Sequence, residues 1–416
     1  MAERESGNEQ ALERMAQALD PRQVQRSVLP SGRMRQAMAV LPADCPVKPL
    51  GKGAKFLYFL DDFGQLHEIP AERLGRPAIV NLFVQAQDWL YDLWPRWKRV
   101  GDADEMIVDD WILSRAQETL VEACAVKGLW APHLHTRGRG AWALEDGRLL
   151  LHCGRALFTS DGQQLSPGVP TDEAHIYPAA EPIPEPNRQK KPPMESREAV
   201  LALLALLESW RWRRSFDARL LLGWIASALV GGALKVRPMI WITGDRGTGK
   251  SSITSGDDGI MRDLFGDAAI MTNNATAAGL FQKLRYDSLP VVVDEIEAKR
   301  GNQRTQAIIE LMRQGFSGGA LLRGGADHDG VEFRARSAMC FSSILIPPLL
   351  PQDQSRLAIL ALERFEAEAV EPARPAPRLR MMGAAMLRRW LERWHEWPVR
   401  LEAWREGLKA QGHDGR

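Results

Sequence analysis

The chain has 416 residues, 45% hydrophobic and 26% charged, which excludes wholesale disorder, a collagen-like repeat and a disulfide-dense scaffold. Lys and Arg number 54 against 53 Asp and Glu, a formal charge of +1. Any nucleic-acid contact must therefore come from a local basic surface. Four cysteines, Cys45, Cys124, Cys153 and Cys340, show no CxxC pairing and read as reduced thiols of a cytoplasmic protein. The first residues are charged and lack an apolar signal core. The longest apolar stretch, 220–234, is too short for a membrane span and contains Gly223, Gly231 and Gly232. The expectation is a soluble intracellular protein of two or three domains.

In chain order, a mixed-charge helix is expected over 8–19, stopped by Pro21. Residues 56–60 and 65–69 read as a hairpin around Gly64. Residues 79–127 read as largely helical from the spacing of Ile107, Trp111, Leu113, Leu120, Val121 and Cys124. A second hairpin joins 140–144 to 149–152 through Glu145-Asp146-Gly147. These elements make an expected N-terminal α+β domain over 1–165. Prolines 167, 170, 178, 182, 184, 186, 192 and 193 crowd 166–193, the composition of an extended linker. Residues 194–236 form a predicted helical collar, its first helix capped by Ser196, with the connector Trp210-Arg211-Trp212-Arg213-Arg214 inside it. From 237 to 370 strands alternate with Gly-rich turns and helices, the pattern of a parallel α/β sheet. The tail, 371–416, is helical with Trp390, Trp394, Trp397 and Trp404 at helical intervals, a stripe more often core than binding surface.

The chemistry centres on one loop. Met239-Ile240-Trp241-Ile242-Thr243 reads as a buried strand, followed by Gly244-Asp245-Arg246-Gly247-Thr248-Gly249-Lys250-Ser251-Ser252. This fits G-x-x-x-x-G-K-[ST], the phosphate-binding loop. Its backbone N–H groups would cradle phosphate oxygens, Lys250 would reach the β- and γ-phosphates of ATP, and Ser251 would ligate Mg²⁺. The helix expected from Gly249 is interrupted by Ser255-Gly256-Asp257-Asp258-Gly259, all poor helix formers, and is therefore short or kinked.

A second strand, Val291-Val292-Val293, ends in Asp294-Glu295. Asp294 would hold Mg²⁺ through water and Glu295 would polarise the attacking water; alone, such a pair is an ordinary solvated strand end. A third strand, 338–341, ends in Ser342-Ser343. Ser343 is the candidate γ-phosphate sensor, against a plain strand-terminating turn. Arg356, just before the apolar run 357–362, suits an arginine finger acting on a neighbouring subunit, with a surface ion pair as the alternative; Arg313 is the second candidate. A hairpin over 320–336 carries Arg323, His328, Arg334 and Arg336 but also three acids, which suits a solvated hairpin as readily as a DNA contact. Two constellations are weaker. Cys124, His133, His135, His152 and Cys153 match no zinc spacing, and Arg137-Gly138-Arg139-Gly140 beside Trp142 is either an exposed turn or a nucleic-acid backbone contact.

With the phosphate loop, Asp294-Glu295, the Arg/His hairpin and Ser342-Ser343 in this order, the C-terminal half resembles a superfamily 3-type AAA+ helicase. More narrowly, it is similar to the helicase portion of phage and prophage primase–helicase proteins. The runs 276–284, 341–344 and 355–357 carry the likeness, as do 222–225, 137–142 and 47–52 upstream. The resemblance implies a homo-oligomeric ring, commonly a hexamer, with ATP at subunit interfaces. It also implies a hairpin lining a channel for single-stranded DNA, with His328 at its tip and Arg356 as the trans-acting arginine. Where the superfamily usually has Asn, this chain has Ser343, and the interrupted helix is also a departure. No primase-type domain precedes residue 47, so priming is not expected of this chain alone, and a separate primase is a candidate partner. The expectation is a helicase or translocase for replication of a phage or mobile element. The alternatives are an AAA+ ATPase that remodels or loads proteins, and a nucleotide-gated scaffold.

Overall fold

A computed structural model describes residues 41–100, 105–169, 171–172, 174–273, 275–296, 303–324, 330–365 and 374–413, with backbone alone at 105 and 320–333. The helix expected at 8–19 lies outside the described residues. The chain divides into two compact units, Met1–Trp130 and Ala131–Arg416.

In the first unit, β1 (Lys48–Lys52), β2 (Phe56–Leu60) and β3 (Leu66–Pro70) form an antiparallel sheet. The hairpin read at 56–69 is present, with Phe56 opposite Pro70 and Leu60 opposite Leu66. Next come α1 (Arg76–Leu82) and α2 (Asp88–Leu93), then β4 (Pro95–Val100), β5 (Glu105–Trp111) and α3 (Leu113–Lys127). The expectation of helix across 79–127 is corrected at 95–111, where β4 and β5 pair antiparallel. Pro95 disfavours helical geometry at Trp94, and the consecutive apolar run Met106-Ile107-Val108 fits a β-ribbon better than one helix face. Phe59, Ile79, Leu82, Phe83, Trp94, Trp111 and Leu120 fill this unit's core.

The second unit opens with a single turn, α4 (Pro132–His135), and the antiparallel sheet β6 (Gly140–Ala143), β7 (Leu149–His152), β8 (Leu157–Thr159) and β9 (Gln164–Leu165). These strands therefore belong to the same compact unit as the five-stranded parallel sheet described below, and the division between units falls at 130/131. That stretch is packed down. Tyr177 and Ile183 are buried, Ile183 N–H donates to the Cys153 carbonyl, and Asn187 N–H donates to the Ala384 carbonyl. Proline removes donors but keeps carbonyls and apolar rings, so such a segment can still be strapped to a sheet.

His152 shows the result. Its Nε2 donates to the Pro178 carbonyl at 2.8 Å and its Nδ1 accepts from Gly154 N–H at 3.0 Å. Burial, seconded by Arg139, lowers its pKa to about 4, against the opposing pull of the Pro178 bond. The folded state thus refuses a proton that the unfolded chain takes up below pH ~6.5. Stability is full above that pH and falls by up to about 3 kcal/mol as pH drops towards 4. Urea melts at pH 7 and 4.5 measure this loss; a His152→Gln variant with the same pH slope would refute the assignment. His135 and Cys124, from the same weak constellation, bond instead to the carbonyls of Ala174 and Tyr58.

Helices α5 (Ser196–Glu208) and α6 (Asp217–Ala228) follow. Glu195, not Ser196, occupies the cap position of α5, without a side-chain bond. A five-stranded parallel sheet then forms from β10 (Met239–Thr243), β11 (Ile270–Thr272), β12 (Val291–Val293), β15 (Met339–Ser343) and β16 (Leu357–Ala361), ordered β11-β12-β15-β10-β16. Between β12 and β15 lies the hairpin of β13 (Ala320–Gly324) and β14 (Gly330–Arg334). The helices of this half are α7 (Lys250–Ile253), α8 (Ile260–Phe265), α9 (Ala277–Leu284), α10 (Gln303–Ser317), α11 (Pro351–Gln354), α12 (Ala376–Arg393) and α13 (Trp397–Ala410).

Strand alternation sends side chains to two faces. Ile240, Ile242, Val292 and Cys340 pack with Leu203, Trp224, Ile253 and Leu379. Met239, Trp241, Val291, Val293 and Phe341 pack with Leu280, Ile308 and Met312. The tail's tryptophans form a ladder with 5.4–6.2 Å between ring centroids. It is anchored by Trp390 on the Ala226 carbonyl and Trp394 on the Gly147 carbonyl. Among the described residues, no helix is long and apolar enough to cross a membrane.

Arg137-Gly138-Arg139-Gly140 is a structural joint. Arg139 Nε and Nη2 donate to Asp287 Oδ2 at 3.0 and 2.7 Å, and Arg139 N–H donates to Asp287 Oδ1 at 2.7 Å. Asp287 sits in the turn leading to β12, and burial pushes its carboxyl up against the opposing pull of Arg139. Arg139→Ala leaves that partly buried acid without its cation and is expected to destabilise the protein by ~2–4 kcal/mol. Thermal or urea denaturation checks this, and a change below ~0.5 kcal/mol would show the pair to be dispensable.

Candidate nucleotide-binding site

The strands of a parallel sheet all end on one edge, and loops beyond that edge form the usual ligand crevice. Here β10 delivers 244–249, β12 delivers Asp294 and Glu295, and β15 delivers Ser343. The loop closes on itself. Thr248 is buried and its Oγ1 donates to the Asp245 carbonyl at 2.9 Å. Gly249 sits at φ 80° in the left-handed region, and a Cβ there would fall 2.5 Å from Trp210 Nε1, so conformation and space both demand glycine. Trp210 Nε1 in turn donates to the Gly249 carbonyl.

Lys250 Nζ donates to the carbonyls of Gly244 and Asp245 at 2.7 and 2.8 Å. Burial lowers its pKa, while Asp294, Asp245 and Glu295 pull the other way. Lysine and both acids thus lie within electrostatic reach of each other. Ser251 is exposed on the first turn, Ser252 is half-buried beside it, and Arg246 is exposed on the loop. Asp245 pairs at 3.7 Å with Arg364. Helix α7 is a single turn, and α8 begins only at Ile260; the interruption read from 255–259 is present.

Asp294 is buried and Glu295 exposed. Glu295 has φ 55°, a left-handed conformation costing a non-glycine residue ~1–2 kcal/mol. Strain of this kind concentrates at functional sites.

Sequence reasoning placed Ser343 at the γ-phosphate; its hydroxyl is engaged elsewhere. Trp241 Nε1 donates to Ser343 Oγ at 2.8 Å, and Ser343 Oγ donates to the Leu345 carbonyl at 2.8 Å. Ser343 shares the face of Trp241 and Phe341, away from the Ile253 side of the sheet. Ser342 points to that side. It is fully buried and its Oγ has no partner among the described residues.

Arg356 precedes β16, whose first residue, Leu357, lies opposite Met239 at the start of β10. It is therefore on the sheet edge opposite the phosphate loop, ~13 Å or more away along the strand, with Nη1 on the Gln352 carbonyl and the guanidinium 5.6 Å from the Phe316 ring centroid. Arg313, the alternative finger, is committed to buried Asp353 through Nε at 3.0 Å. The backbone of the 320–334 hairpin is present, with Arg323 opposite Val331 and Arg334 exposed; His328 lies outside the described residues.

The donors suit a magnesium nucleotide. The glycine loop offers backbone N–H groups to phosphate, and the Ser251 hydroxyl and Asp294 carboxylate are the hard oxygens Mg²⁺ prefers. Sequence reading missed Thr254 and Ser255, whose hydroxyls both reach Asp294. Their only signal was the break in the helix, which read as poor helix propensity alone.

No family model matches the chain, and no curated protein matches it. Among solved structures it is similar to "The A form apo structure of NrS-1 C terminal region-CTR". Identity is 12% and the TM-score 0.39, over 83% of this chain and 66% of that one. It is also similar to "SCCmec type IV Cch - active helicase", at 13% identity and a TM-score of 0.42, over 93% of this chain and 67% of that one. The chain spans about two thirds of the length of these structures.

Proposed function

We propose that the chain is an ATP-dependent DNA helicase or translocase of the superfamily 3 AAA+ type. It works as a homo-oligomeric ring, a hexamer, on single-stranded DNA in the replication of a phage or mobile element. The observation that carries this reading is the convergence of Lys250, Asp294 and Glu295 on one edge of a five-stranded parallel sheet, around a glycine loop. In this reading, loop N–H groups and Lys250 bind the ATP phosphates. Ser251 and Asp294 hold the divalent ion, which supplies charge neutralisation when bound. Glu295 takes the proton of the attacking water.

Ring assembly is supported by Arg356, which lies on the wrong edge to serve its own loop and so suits a neighbour's site. Arg356→Ala is expected to bind ATP normally and lose ~10³-fold in turnover. Mixing it with Glu295→Gln subunits restores part of the activity at interfaces that hold both intact residues. Full turnover of dilute monomers, followed by light scattering, would refute the trans role. The function is tested by ATP hydrolysis with and without single-stranded DNA at two salt concentrations. Stimulation that weakens with salt supports a DNA motor; hydrolysis indifferent to DNA points to the protein-remodelling ATPase.

A further inference from the structure

The helix after a phosphate loop ordinarily continues; here it stops after one turn, and the stop carries chemistry. At Thr254 the backbone leaves helical geometry (φ −88°, ψ −103°). Gly256 N–H closes a tight bend onto the Ser251 carbonyl at 2.9 Å. A Cβ on Gly256 would lie 2.7 Å from that carbonyl oxygen, and one on Gly259 would lie 2.5 Å from the Thr254 carbonyl oxygen. The bend is therefore written into the glycines. Arg262 braces it from α8, donating through Nε and Nη2 to the Ser255 carbonyl at 3.1 and 2.8 Å.

The bend turns two hydroxyls, both buried, onto the acid of the neighbouring strand. Thr254 Oγ1 lies 3.0 Å and Ser255 Oγ 3.2 Å from Asp294 Oδ2. Each hydroxyl has a second acceptor nearby, the Lys250 carbonyl at 3.1 Å for Thr254 and Asn273 Oδ1 at 3.4 Å for Ser255. The carboxylate oxygen is the closer acceptor in both cases. Asp294 Oδ1 accepts Glu295 N–H at 3.0 Å. With two acceptor sites per oxygen, these bonds occupy Oδ2 and leave one site on Oδ1 among the described residues.

We infer that Thr254 and Ser255 form a hydroxyl clamp that fixes the Asp294 carboxylate, so that a single Oδ1 lone pair is presented to the hydration shell of the divalent ion. They are positioning residues, acting through Asp294. The inference rests on the nucleotide-site reading above and assigns a purpose to the interrupted helix, which that reading leaves unused. Partners that orient a metal ligand from behind commonly set metal affinity by 10–100-fold.

The test titrates Mg²⁺ into the full-length protein with a fluorescent ADP analogue, first in EDTA and then across Mg²⁺ concentrations. The Thr254→Val/Ser255→Ala double variant should raise the Mg²⁺ midpoint by ~10-fold or more. Its EDTA affinity should stay within about twofold of wild type, which also reports that the loop is folded. Each single variant should shift the midpoint less, and Thr254→Ser, which keeps the hydroxyl, should leave it in place. A double variant with the wild-type midpoint overturns the clamp. So does a Thr254→Ser variant that shifts as far as Thr254→Val, because the hydroxyl would then not be responsible. A wild-type protein that binds no analogue in either condition refutes the nucleotide site itself, and the clamp with it.

Discussion

Lys250→Ala is expected to reduce ATP hydrolysis by ~10²–10³-fold or more, the usual cost of losing one preorganised charge from a phosphoryl-transfer site. The ammonium is held 2.7 and 2.8 Å from the Gly244 and Asp245 carbonyls, so it is stored on the rim of the cradle it would serve. Burial weakens its hold on the proton, and Asp294, Asp245 and Glu295 offset only part of that effect. Lysine is therefore a partly desolvated cation, whose field on a phosphate is stronger than that of a fully hydrated one. Alanine removes that charge but frees only two loop carbonyls, which solvent can satisfy, so the melting temperature should change little. Arginine is not a substitute, because a planar fork does not reproduce a compact point charge. Wild-type turnover in a folded Lys250→Ala protein would show that the loop is a plain turn.

The parts of this site that were legible in the sequence are those whose members are close in the chain. Gly244 to Ser251 could be read because phosphate binding fixes spacing and strand context together. Asp294-Glu295 could be read because a β-branched run ends in them. The break after Ile253 was visible as Ser255-Gly256-Asp257-Asp258-Gly259, yet its partner was not, since Thr254 and Asp294 are 40 residues apart. Arg139 and Asp287, 148 residues apart, were equally hidden, and the arginine pair around Gly138 read as surface. Ser343 was preferred over Ser342 without knowledge of which face each takes; alternation along β15 puts Ser343 on the Trp241 face, bonded to Trp241, and Ser342 on the other. The ribbon at 95–111 was lost because Ile107 and Trp111, four apart, imitate a helix. The proline-rich segment read as linker because composition records missing donors but not the bonds that strap it down, from the remaining N–H groups of Ala180, Ile183 and Asn187 and from the Pro178 carbonyl to His152 of β7.

Glu295→Gln separates binding from chemistry most sharply. Glutamine keeps the shape and hydrogen-bonding reach of the side chain and loses only the ability to accept a proton. Asp294 is undisturbed, because its Oδ1 partner is the backbone N–H of residue 295, which survives any substitution except proline. Nucleotide and Mg²⁺ affinity should therefore remain within about twofold of wild type, while turnover falls by ~10²–10⁴-fold, the range for a positioned general base. The backbone supplies an independent check. At φ 55° residue 295 is strained unless it is glycine, so Glu295→Gly should raise stability by ~1 kcal/mol while losing at least as much turnover as Glu295→Gln. Denaturation midpoints and single-turnover rates on the same two proteins read both effects. A glutamine variant that hydrolyses ATP at the wild-type rate would remove Glu295 from the chemistry. The positive φ would then need another explanation.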